Sequence, residues 1–106
     1  MEAQKLEKVN GNSLDAISAH LGVEFDPSDK SLFEEYKRRD VGCKIISFIR
    51  KWRGTIGEQG VMFGEAFSDS ETIMSRANYL NSTSPNRVYG AYDEKGNYIG
   101  GLESLR

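Results

Sequence analysis

Lys37-Arg38-Arg39-Asp40-Val41-Gly42-Cys43-Lys44-Ile45-Ile46-Ser47-Phe48-Ile49-Arg50-Lys51-Trp52-Arg53 is where two architectures compete for one chain. Ile45, Ile46, Ile49 and Trp52 recur at i, i+1, i+4 and i+7, which is a helical stripe. Asp40 stands where an N-cap belongs and Gly54 where the residue after a C-cap belongs. Arg50, Lys51 and Arg53 would then lie at the negative end of the helix dipole. The same run suits a strand bounded by Gly42 and Gly54, because Ile45, Ile46, Phe48 and Ile49 are β-branched or aromatic. The stripe favours the helix, with the strand as the alternative.

Outward from this stretch the pattern is clearer. Leu14, Ile17 and Leu21 form an apolar stripe between Ser13, a capping residue, and Gly22, a helix-ending glycine. Asp26-Pro27 interrupts helix, since proline pushes the residue before it into extended backbone. Ser31 with Glu34, or a cap at Ser28 or Asp29, opens a second helix burying Leu32, Phe33 and Tyr36. Val61 to Phe67 alternates as a strand, and Ser68 with Glu71 opens a helix striped by Ile73, Met74, Ala77 and Leu80. Asn81 to Asn86 reads as a loop. Arg87–Tyr92 and Asn97–Leu102 then flank Asp93-Glu94-Lys95-Gly96, a type I turn closing on a glycine bulge. The expected fold is a single α+β domain over residues 13–106, N-terminal helices on a small, mainly antiparallel sheet that ends in a β-hairpin, with residues 1–12 as a flexible arm.

Charge is segregated along the 106 residues. The opening stretch holds half of the chain's 14 Lys and Arg against the single acid Asp40, while both flanks are acidic and the whole carries −2. No apolar run is long enough to span a bilayer, and the N-terminus lacks a signal-peptide profile. With the lone Cys43 this points to a cytoplasmic, reducing setting.

Chemistry finds little footing. The one histidine, His20, and the one cysteine, Cys43, have no spacing that makes a nucleophile and base, and Cys43 reads as a small core residue. Glu34-Glu35 diverge on a helix and Asp93-Glu94 belong to a turn. Gly54, Gly57 and Gly60 lack the Lys-Ser/Thr pair of a phosphate loop. No cofactor, metal site or enzymatic activity is therefore expected. Leu14-Asp15-Ala16-Ile17-Ser18-Ala19-His20-Leu21-Gly22-Val23 resembles the first helix and turn of helix-turn-helix domains over ten residues. Asp26-Pro27-Ser28-Asp29, where a recognition helix should begin, departs from that pattern and would face phosphates unfavourably.

By elimination the chain reads as a small binding protein that inhibits or modulates a protein target, similar in size and charge to accessory proteins of phages and mobile elements. Its acidic flanks suit competition for a site that normally holds nucleic acid or an acidic substrate. Tyr89, Tyr92, Asp93, Glu94 and Tyr98 on the hairpin form the expected protein interface, since tyrosines are enriched at interface centres. Either Val61 to Phe67 or the outer strand of the hairpin is a further candidate, by pairing with a partner's edge. The alternative partner is nucleic acid, held by Lys44, Arg50, Lys51 and Arg53 within the basic segment.

Overall fold

A computed structural model describes residues 10–49, 60–84 and 86–102. Helices α1 (Leu14–Leu21) and α2 (Pro27–Lys37) come first, then β1 (Cys43–Ile49), β2 (Val61–Phe67), α3 (Ser70–Thr83), β3 (Arg87–Tyr92) and β4 (Tyr98–Gly100). The strands form one antiparallel sheet in the order β2-β1-β3-β4. The chain is of the α+β class, as its pattern implied.

The basic stretch is a strand and not a helix across Cys43–Ile49. All seven of its residues are buried, because β1 is a central strand covered by helices on both faces. Ile46 and Phe48 face α1 and α2 in a core with Leu14, Ile17, Phe33, Tyr36, Val61, Val88 and Tyr92. Cys43 and Ile45 face α3, meeting Ile73, Ala77 and Ala91. A strand buried on both faces shows no polar alternation, so its continuous apolar run mimicked a helical stripe. Asp40 accordingly caps nothing helical, and Arg50 to Gly54 lie outside the described residues.

Local signals set the other boundaries. Ser13 accepts from the Ala16 N–H, and Gly22 ends α1 in the left-handed region at φ 71°, where a side chain is disfavoured. Helix α2 starts earlier than Ser28, Asp29 or Ser31 would place it: Asp26 is the extended N-cap, Pro27 takes the first helical position, and Asp29 completes the capping box. In α3 the cap is Asp69, not Ser68, and the helix runs through Asn81 to Thr83, beyond the loop boundary expected at Asn81. Asn81 is held there because its amide donates to the Tyr89 and Gly101 carbonyls while its oxygen accepts from the Tyr89 N–H. The turn between β3 and β4 follows its sequence, with Gly96 N–H donating to Asp93 O at 3.0 Å and Gly96 at φ 88°.

Helix α2 places Phe33 and Tyr36 in the core, so it lies on the sheet and does not project as a recognition helix. Of the N-terminal arm, residues 10–12 are tied to the domain: Gly11 O accepts from the Tyr92 hydroxyl and Asn12 Oδ1 from the Tyr98 N–H. Residues 1–9 lie outside the described residues.

Candidate protein-binding edge

The hairpin does not present its tyrosines as one surface. Tyr92 is fully buried, with its hydroxyl on Gly11 O at 2.7 Å and its ring against Phe33 and Tyr98. Burial holds that phenol protonated well above its ordinary range. Tyr98 is half-buried on the same side and its hydroxyl accepts from the Leu102 N–H, whereas Tyr89 packs beneath α3. Asp93 is committed to the turn, accepting from the Lys95 and Asn97 N–H groups. Glu94 is exposed, but its carbonyl oxygen accepts from Lys44. Tyr92 thus leaves the expected interface, because filling the core takes the area a partner would need.

The basic segment is equally committed in its described part. Lys44 is fully buried on the α2 side of β1, and its ammonium donates to Lys37 O, Arg39 O and Glu94 O at 3.1, 2.9 and 3.4 Å. It closes the carboxyl end of α2 and fastens the hairpin turn beside it, a position where the helix dipole favours a cation. Burial lowers its pKa, offset in part by Asp93, Asp40 and Glu94. Lys44 cannot track a phosphate backbone, and this corrects its expected place in a nucleic-acid site. Lys37 pairs with Glu34 and lies 4.4 Å above the Phe33 ring. Arg50, Lys51 and Arg53 lie outside the described residues.

His20 is exposed on α1 while Cys43 is buried under α3, so the two are not a catalytic pair. Burial raises the Cys43 thiol above its usual range, with Glu94 and Asp93 adding to the shift, which opposes activation as a nucleophile. Among the described residues no cluster of three or more His, Cys, Asp or Glu could hold a metal, and no helix is long and apolar enough to cross a membrane.

What the sheet leaves open is the outer edge of β2. No described residue pairs with it, and seven residues, Val-Met-Phe-Gly-Glu-Ala-Phe, run along it. Edge strands are usually guarded by lysine, proline or short length. Here Met62, Gly64 and Ala66 are exposed, and the one charge, Glu65, is neutralised by Arg76 of α3 through two bonds of 2.9 and 2.8 Å. That pairing holds the Glu65 carboxyl below its usual range. Gly64 and Glu65 share the position opposite Ile45, a bulge that twists the strand without blocking it. The other edge, β4, is three residues long and runs into Gly100 and Gly101, both at positive φ, which makes it a poor template.

The two flanks of β2 carry interface-type side chains. On the α2 side the Arg39 guanidinium stacks over the Tyr36 and Phe63 rings at 4.9 and 4.7 Å. On the α3 side are Met62, 42% exposed, and Tyr79, 56% exposed, with Arg76 5.3 Å above the Tyr79 ring. Arg, Tyr, Phe and Met are the residues enriched at interface centres. Arg76 and Tyr79 were not in the sequence-derived site, whereas Met62 falls in the strand Val61 to Phe67 named as a candidate pairing edge and Arg39 in the basic segment. The alternation of Val61 to Phe67 was legible, but strand order, which makes that strand an edge, was not. No family model, curated protein or solved structure matches the chain.

Proposed function

We propose that this protein is a binding module that inhibits or modulates a protein partner by adding a strand of that partner to the outer edge of β2. The observation that carries the reading is the seven-residue edge, unpaired among the described residues, with Met62, Gly64 and Ala66 exposed, in a sheet whose two faces are covered by helices. Backbone hydrogen bonds along such an edge supply affinity, and the flanking side chains supply selectivity. Support also comes from the described part of the basic stretch: Lys44 is spent inside the fold, and Lys37 pairs with Glu34 and donates to the Asn12 carbonyl, which withdraws both from phosphates. The hairpin tip at Glu94 and Lys95 is exposed but lacks an aromatic anchor now that Tyr92 lies in the core.

The test is affinity capture with the wild type beside a Met62→Lys/Ala66→Lys variant, two changes at exposed positions that guard the edge without touching the core. One protein retained by the wild type and lost by the variant, with unchanged circular dichroism, is the expected result. A partner retained equally by both would remove the edge from the function. In parallel, anisotropy titration with DNA and RNA at low salt is expected to give no salt-sensitive binding; binding that falls steeply with salt would favour the nucleic-acid alternative.

A further inference from the structure

We infer that the strand taken up by β2 carries a carboxylate that docks on Arg39, so that Arg39 reads the charge of the partner segment. The inference rests on the edge-addition reading and specifies its occupant. Two guanidiniums flank the edge, and they differ in what they already hold. Arg76 has its charge paired by the two short bonds to Glu65. Among the described residues Arg39 has one ionic contact, to Glu35 at 3.5 Å, and the two side chains are 41% and 60% exposed. A single long contact between partly exposed side chains contributes little and gives way to a partner's carboxylate. A guanidinium is also suited to a carboxylate by its planar fork, which a lysine does not offer.

Its position is preset. The guanidinium is sandwiched against Tyr36 from α2 and Phe63 from β2, so it stands beside the strand edge before any partner arrives and little side-chain freedom is lost on binding. Phe63 and Val61 point to this side of the sheet, while Met62, Glu65 and Phe67 point to the α3 side. The arrangement therefore asks for an acidic side chain on the α2 face of the incoming strand near Phe63, and for an apolar one on the α3 face near Met62. A basic strand would be repelled there, which gives selection against the wrong partner as well as for the right one.

The probe is a displayed library of random eight-residue linear peptides selected on the purified full-length protein. Enriched peptides are expected to carry Asp or Glu among apolar residues and to lose binding to the Met62→Lys/Ala66→Lys variant. Arg39→Glu is expected to weaken them about tenfold, and Arg39→Lys less, since lysine keeps the charge and loses the fork. Peptides that need the β2 edge but show no acidic preference and no response at Arg39 would overturn the inference while leaving strand addition intact. A failure to select any edge-dependent peptide, or a sedimentation result in which a second copy of the chain occupies the edge, would overturn both.

Discussion

Lys44 looks in the sequence like one more member of a basic patch, and its surroundings give it a different task. Its three N–H groups meet three backbone carbonyls from the end of α2, the following turn and the hairpin tip, segments that share no regular hydrogen-bond ladder. Replacing it with methionine keeps the length and apolar stem but leaves those carbonyls without a donor. An orphaned buried acceptor costs about 1–3 kcal/mol, so Lys44→Met is expected to reduce the unfolding free energy read from a urea titration by that order. A variant as stable as the wild type would show that water satisfies the three carbonyls and that the clasp contributes nothing. Tyr92 is the companion case. Nothing in the spacing of Tyr89, Tyr92 and Tyr98 distinguishes the ring that fills the core, and contact with Gly11, a residue of the N-terminal arm, decides it.

Among the elements, legibility followed how much local chemistry each one carries. Helix α1 was readable from Ser13 and Gly22, and the hairpin from Asp93 and Gly96, because caps and turns are set by residues a few positions apart. Strand β1 was not, since its identity depends on being covered from both sides by α1, α2 and α3, which no local window contains. Strand β2 was readable as a strand and unreadable as an edge for the same reason. Its tie to α3 makes a pH prediction. The hydrogen bonds from Arg76 hold the folded-state Glu65 pKa below its ordinary value of 4.5, so the pair's contribution is fully present above that value and is lost as pH falls through the folded pKa. Glu65→Gln is therefore expected to be less stable than the wild type at neutral pH, by a small amount because the pair is partly solvated, and to approach it in acid. Chemical denaturation at neutral pH and in acid checks this, and a gap between the proteins that persists in acid would assign the effect to packing.

At the level of the whole molecule, Lys44 of the basic stretch is spent on the fold, whereas among the described residues the outer edge of β2 has no partner strand. Two layers of helix cover the sheet, β4 is short and ends in glycines, and β2 alone offers a long apolar edge with arginines on its flanks. An edge left open in this way is a template for association, and on the proposed reading its two flanks would make that association selective. The most direct measurement is backbone hydrogen exchange on the protein alone and in complex with the partner that the wild type captures. New protection confined to β2, with Val61 to Phe67 slowed and the hairpin tip unchanged, is what strand addition predicts. Protection at Asp93 to Gly96 or on the helices, with β2 exchanging as in the free protein, would contradict it.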